Sequence, residues 1–226
     1  MFKSKIAGVG SFLPEKVLTN HDLEKIVETS HDWIDQRNGI ERRHVIADGE
    51  GTSDMIVRAA KKALADANMQ ATDLDLILVA TVTGDFKMPG TACIVQAKLG
   101  AKNVMAFDIN AACSGFLYSL IVADQFIKTG FYKNILVVGA ESLTRIVDYK
   151  DRDTCILFGD GAGVFILTRA EASDTNVILT GHAHAEGQHA ELLWAEAGGA
   201  KVPFSQEVLD KGSHFMQMKG KEIFKN

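Results

Sequence analysis

Two spacings of apolar residues alternate along the chain. Lys5 to Phe12 reads as a strand. Thr19 and Asp22 stand at capping-box spacing and predict a helix through Leu23, Ile26 and Val27, and Thr29 and Asp32 repeat that spacing ahead of Trp33 and Ile34. Thr52-Ser53-Asp54 opens a helix whose Met55, Ile56, Ala59, Ala60, Ala63 and Leu64 recur at helical spacing. Leu74 to Val82 predicts an apolar strand, Gly90 to Leu99 a short helix, and Val104 to Asn110 a short buried strand. Ser114 to Lys128 is a strongly apolar helix stopped by Thr129-Gly130, with Gly130 suited to a left-handed C′ position. Ile135 to Gly139 and Gly163 to Thr168 read as strands, and Val177 to His184 as a strand with polar alternation. This rhythm predicts an α/β fold, a mostly parallel sheet covered by helices on both faces. Glu186 to Lys211, with Gly198-Gly199 and Pro203, reads as a surface excursion. Met216, Gly220, Ile223 and Phe224 look like the opening of a helix that has no cap before Asn226, so the chain is expected to be truncated or to have its remainder elsewhere.

Composition narrows the function classes. The 226 residues, 46% hydrophobic and 23% charged, suit a soluble globular protein of one large or two small domains. No apolar run approaches the roughly 18 residues a bilayer span needs, so no membrane partner is expected. Met1-Phe2-Lys3-Ser4-Lys5-Ile6 lacks the apolar core of a signal peptide. Three cysteines without regular spacing argue against a disulfide framework and fit a cytoplasmic location. A net charge of −5 speaks against nucleic-acid binding.

The chemistry centres on Cys113, in Ala111-Ala112-Cys113-Ser114-Gly115-Phe116, between a strand and a helix. A thiol there meets the positive end of the helix dipole, which favours the nucleophilic thiolate, and its small neighbours leave room for a substrate carbonyl. Ligands of such sheets sit beyond the carboxyl ends of the strands, where Cys113 falls. A buried core cysteine is the alternative, and spacing alone leaves both open. Cys93 and Cys155 sit in apolar contexts and read as core. His182, His184, Glu186 and His189 invite a metal reading, but no fourth ligand is evident and no metal is expected. Gly159-Asp160-Gly161-Ala162-Gly163 lacks the Lys-Ser/Thr of a P-loop and reads as a tight turn beside the cysteine. Gly8-Val9-Gly10 lacks the third glycine of a dinucleotide fingerprint.

Together Thr29-Ser30-His31-Asp32-Trp33-Ile34, Arg37-Asn38-Gly39-Ile40, Asp108 to Phe116, Phe158 to Gly163 and Met218 to Phe224 make the chain resemble β-ketoacyl-acyl-carrier-protein synthase III, a thiolase-superfamily condensing enzyme that initiates bacterial fatty acid synthesis. The resemblance runs over essentially the whole chain. It implies a thiolase-like layered fold, with residues 1–170 as the N-terminal half and 171–226 as the start of a second half. It implies that acyl-CoA acylates Cys113 and that malonyl-acyl carrier protein then condenses with loss of carbon dioxide. The family's histidine and asparagine for that second step match no residue here, so the chain is expected to carry the nucleophile without the decarboxylation apparatus.

By the same resemblance, Trp33 and Arg152 sandwich the adenine of coenzyme A, and Thr29 and Arg37 contact its pantetheine–phosphate portion; the stacking chemistry is sound. A helix-packed tryptophan and a solvated arginine are the alternative. Asn38 departs from the family's usual threonine. Met88, Leu157, Phe158 and Met218 match acyl-pocket positions, Met88 reaching into a dimer mate's pocket, with plain core packing as the alternative. Lys225, in the basic group Lys219, Lys221 and Lys225, matches a carrier-protein docking position; a solvated helix face is the competing reading. A homodimer is implied, and no cofactor beyond the coenzyme A thioester substrate. Competing functions are another thiolase-fold condensing enzyme of polyketide, quinolone or hydrocarbon synthesis, and a non-catalytic acyl- or CoA-binding subunit.

Overall fold

A computed structural model of the chain describes residues 1–225. In chain order the elements are β1 (Ser4–Phe12), β2 (Lys16–Thr19), α1 (Asn20–Leu23), α2 (His31–Asn38), β3 (Arg42–Val45), α3 (Thr52–Asp66), β4 (Leu76–Ala80), α4 (Thr91–Leu99) and β5 (Met105–Ile109). They continue with α5 (Gly115–Thr129), β6 (Asn134–Ser142), α6 (Arg152–Cys155), β7 (Asp160–Arg169), β8 (Leu193–Ala195), α7 (Gln206–Lys211), β9 (Met216–Met218) and α8 (Gly220–Ile223). Packing gathers them into two units, each made of three chain segments: Met1–Pro14, Ile46–Ser142 and Asp160–Ala183 in the first, Glu15–Val45, Leu143–Gly159 and His184 onward in the second.

The first unit is a five-stranded sheet in the order β1-β7-β6-β4-β5. Strand β4 is buried along its whole length, and its alternation sends side chains both ways. Ile77 and Val79 join Leu136, Val138, Val164 and Ile166 beneath α3 and α4. Leu76 and Leu78 join Ile135, Val137 and Leu167 beneath α5, through Ala123 and Ile127. The fold class and the helical cover on both faces are therefore as the pattern predicts.

Strand direction differs from expectation. β6, β4 and β5 run parallel, but β7 pairs antiparallel with both β6 and β1, so the sheet is mixed. Parallel neighbours need a crossover that packs back on the sheet, and the segment between β6 and β7, with the short α6, belongs instead to the second unit. The run Asp160 to Gly163 is the start of β7, in register with Gly139 to Ser142, and not the tight turn expected. Glycine there serves close approach. A Cβ on Gly159 would stand 3.2 Å from the His44 carbonyl oxygen, and one on Gly161 3.1 Å from Leu13. Asp160 is buried and accepts the Ile46 N–H at 2.7 Å.

Four further expectations fail for local reasons. Val177 to His184 forms no strand; Val177 makes a lone bridge to Lys5 and Ile178 donates to the Ser4 carbonyl, after which the segment is largely exposed. Helix α1 stops at Leu23, because exposed Ile26 offers no apolar face to extend it, and turns carry the chain on. Cys93 is exposed on α4 while Ala92 and Val95 face inward; only Cys155 is a core cysteine. At the far end Met216 begins a strand, and the helix opens only at Gly220.

The second unit has its own core of Leu23, Ile34, Val147, Cys155, Ile156 and Met216. Antiparallel pairs β2–β3 and β8–β9 flank it, and β9 is tied in by the Met216 N–H bonding to the Ile146 carbonyl at 2.7 Å. Residues 186–211, expected as an excursion, are mostly exposed but carry β8 and α7. Among the described residues no helix is long and apolar enough to cross a membrane.

Candidate functional site

Cys113 lies in a single 3-10 turn, Ala112–Ser114, between β5 and α5, and it is exposed. Of the two readings of this thiol, the core one is thereby removed. Ala112 takes φ 44, in the left-handed region that costs a residue with a Cβ roughly 1 kcal/mol. The turn is pinned from both sides. The Ser114 N–H donates to the Ala111 carbonyl at 3.1 Å. A Cβ on Gly115 would stand 3.0 Å from the Ala80 Cβ, so glycine lets the first turn of α5 press against the end of β4.

Two carboxylates brace the surrounding loops. Asp108 on β5 accepts the N–H groups of Thr91 and Ala92, both at 2.6 Å, capping α4 where its dipole favours negative charge. Glu141 at the end of β6 accepts from the Val82 and Thr83 N–H groups and the Thr81 and Thr83 hydroxyls, holding the loop that follows β4. Burial pushes its carboxyl above the usual range, against those hydrogen bonds. Beyond the tethered part of the loop stand Phe86 and Met88. Met88 is 83% exposed, so it packs in no core of this chain.

The second unit carries a groove of about 1020 Å³. Trp33, Arg37 and Asn38 of α2 form part of its wall, Asp153, Ile156 and Leu157 another, and Met218 through Lys225 a third. The N-cap of α2 is Ser30, whose hydroxyl accepts the Trp33 N–H at 3.1 Å, one residue later than the Thr29–Asp32 spacing predicts. The Thr29 hydroxyl and the Asn38 amide nitrogen are buried with no hydrogen-bond partner among the described residues. At the other end of α2, Gly39 closes the helix with φ 67. Asp151 caps α6, accepting from the Asp153 N–H at 3.0 Å and the Thr154 hydroxyl at 2.7 Å.

Both arginines meet the indole. The Arg37 guanidinium carbon lies 3.9 Å from the Trp33 ring centroid and that of Arg152 4.5 Å, and Arg152 also donates to the Glu28 carbonyl. An aromatic face, two guanidiniums and the lysines 219, 221 and 225 suit a flat, aromatic, anionic ligand. Leu157, Met218 and Lys225 line the same groove, whereas Phe158 is half-buried against the core of this unit. Among the described residues no cluster of three or more His, Cys, Asp or Glu could hold a metal ion, and His182, with no strand to align it with His184, is exposed. Residues that sequence reasoning passed over are Asp108, Glu141 and Arg43. The first two follow or precede strand ends, a usable signal; Arg43, inside Glu41-Arg42-Arg43-His44, carries none.

Residues 107–187, which hold the Cys113 turn, match the family model for 3-oxoacyl-[acyl-carrier-protein] synthase III. A β-ketoacyl-[acyl-carrier-protein] synthase III of Caldanaerobacter subterraneus subsp. tengcongensis is 51% identical over 220 residues, 97% of this chain and 66% of that protein. The crystal structure of the Aquifex aeolicus 3-oxoacyl-[acyl-carrier-protein] synthase III superimposes with a TM-score of 0.88 at 49% identity, over 98% of this chain and 66% of that one. The corresponding Thermus thermophilus structure gives 0.83 at 33% identity, over 98% and 67%. The chain thus spans just under two thirds of the length of the first of these relatives.

Proposed function

The chain belongs to the 3-oxoacyl-[acyl-carrier-protein] synthase III family, and from that premise we propose that it carries the acyl-accepting part of a condensing enzyme that initiates fatty acid synthesis. The observation that carries the reading is the exposed Cys113 on its turn at the head of α5, inside the segment the family model matches. The Cys113 thiolate attacks the thioester carbonyl of acyl-CoA. The tetrahedral intermediate collapses with departure of the coenzyme A thiolate, which takes up a proton, and the acyl group stays on sulfur. The Cys113 backbone N–H serves the oxyanion. Malonyl-acyl carrier protein then loses carbon dioxide, its carbanion attacks the S-acyl carbonyl, and β-ketoacyl-acyl carrier protein leaves as the thiolate is restored. This second step is proposed for the whole protein.

The groove of the second unit supports a coenzyme A site. Trp33 and Arg152 offer stacking faces for adenine, and Arg37 a charge for phosphate. The orphaned Thr29 hydroxyl and Asn38 amide are donors that a polar ligand satisfies. Leu157, Phe158 and Met218 shape the acyl pocket in this reading, Met88 enters that of a second copy, and Lys225 receives the acidic carrier protein. An exposed Met88 next to exposed Phe86 supports a homodimer in which this loop meets a second copy. The enzyme works in the cytoplasm without a further cofactor. Residues 1–170 form the first half of the layered fold and 171–226 open the second.

The test is intact mass before and after incubation with acetyl-CoA, followed by peptide mapping. One acetyl group on Cys113, absent from Cys113→Ala, is expected. An adduct on Cys93 that survives Cys113→Ala refutes the nucleophile assignment.

A further inference from the structure

The second unit buries one cation in an unusual way. Arg43, on β3, is 2% exposed, and among the described residues its guanidinium bonds to neutral oxygens. Nε, at 3.0 Å, and Nη2 both donate to the Ile156 carbonyl, while Nη1 donates to Oδ1 of Asn20. Among the described residues no carboxylate pairs with it. Burial accordingly pulls its pKa below the usual guanidinium value. Burying a charge is costly, and an apolar residue would fill the space more cheaply. What the guanidinium adds is a rigid fork of donors that ties two chain segments at once, through the Ile156 carbonyl and the Asn20 side chain.

Those segments are the ones that present the groove's stacking groups. Ile156 is the C-cap of α6, whose first residue is Arg152. Asn20 is itself buried, and its amide nitrogen lies 3.2 Å from Nδ1 of His31, the first residue of α2, two positions ahead of Trp33. The line Ile156–Arg43–Asn20–His31 therefore spans from the arginine side to the tryptophan side through four side-chain or carbonyl contacts in one unit. We propose that Arg43 is a positioning residue that fixes the spacing of the α6 and α2 ends carrying Arg152 and Trp33, whose side chains, 4.5 Å apart, part to admit an adenine ring, and that it acts without touching the ligand.

The inference rests on the coenzyme A reading above. Its test is isothermal titration of the 226-residue chain with coenzyme A and with 4′-phosphopantetheine, the same ligand without its adenine nucleotide. The proteins are wild type, Arg43→Lys, Trp33→Phe and the double variant. Arg43→Lys keeps the charge but loses the fork. It is expected to weaken coenzyme A about tenfold, because small misplacements of a binding group are costly, and to leave 4′-phosphopantetheine unchanged. In the double variant the two losses are expected to fall short of additivity, as for residues acting through one contact. Unchanged coenzyme A affinity, equal weakening of both ligands, or additive losses each overturn the proposal. Should Arg43→Lys lose its native circular dichroism, Asn20→Ala, which cuts the same line at its next link, is judged by the same criteria. The coenzyme reading fails separately: a wild-type chain that ignores coenzyme A, or a Trp33→Phe variant that binds it fully, refutes that reading and with it the role of Arg43.

Discussion

Gly10→Ala tests how closely α3 is seated on the sheet. A Cβ at this position would stand 2.2 Å from the Ala59 carbonyl oxygen, 2.6 Å from the Ala63 nitrogen and 3.1 Å from the Ala63 Cβ. The obstacle is helix backbone, so no rotamer change relieves it, and α3 must retreat by about 1 Å to restore ordinary contact. That helix buries Met55, Ile56, Ala59, Ala60, Ala63 and Leu64 against the sheet. Overpacking of a tight core costs about 1–3 kcal/mol, and a backbone obstacle belongs at the upper end, about 3 kcal/mol. With a urea slope of about 1–3 kcal/mol per molar, the unfolding midpoint falls by at least about 1 M. Gly163→Ala is the control, since its Cβ meets only the Gly139 oxygen at 4.0 Å, and a change within about 0.5 kcal/mol is expected. The readout is far-UV circular dichroism, because both tryptophans, Trp33 and Trp194, lie in the other unit. A Gly10→Ala chain as stable as Gly163→Ala refutes the close seating.

Arg37→Ala removes the guanidinium nearest the Trp33 ring; stability is expected to change by less than about 1 kcal/mol, while coenzyme A affinity measured by titration drops about tenfold at low salt and less at high salt. Cys155 is pushed up to about 11, chiefly by burial and then by the nearby Asp151 carboxylate. At pH 8 iodoacetamide is therefore expected to alkylate Cys93 and Cys113 and to spare Cys155, as peptide mapping would show. Because its folded value lies above its unfolded one, the native state holds the proton longer, and the stabilisation it brings is intact below about pH 9 and lost as pH rises toward 11. Urea unfolding across that window should show a slope that Cys155→Ala flattens.

Much of this was legible because local rules and tertiary packing agree. The Thr19–Asp22 box forms as spaced, with reciprocal bonds of 3.1 and 3.2 Å, and Gly130 ends α5 at φ 79. Thr29 and Ser30 are adjacent competent caps, and spacing alone does not choose between them; the buried position of the Thr29 hydroxyl leaves Ser30 at the helix mouth. The antiparallel β7 was not readable from length, since the segment between Gly139 and Gly163 is long enough for a crossover; what decides the direction is that this segment packs in the second unit instead of back on the sheet. The false strand at Val177 to His184 had the alternation of a strand but no buried face to satisfy. In α4 nearly every residue near Cys93 is apolar, so periodicity does not say which one faces out. Arg43 was opaque for a different reason: its burial depends on acceptors supplied by Asn20 and Ile156, far away in sequence.

The edge strand β1 also sets a timetable for synthesis. Among the described residues the strand beside it is β7, with Ser4 opposite Arg169 and Phe12 opposite Ala162. A ribosome adding about 5–20 residues per second needs roughly 8–30 s to make the 150 or so residues that separate the partners. Throughout that interval the first strand waits with the hydrogen-bonding groups that will meet β7 open. The nascent chain therefore carries a long-lived open edge at β1, and chaperone dependence or aggregation of interrupted translation products is expected to concentrate there.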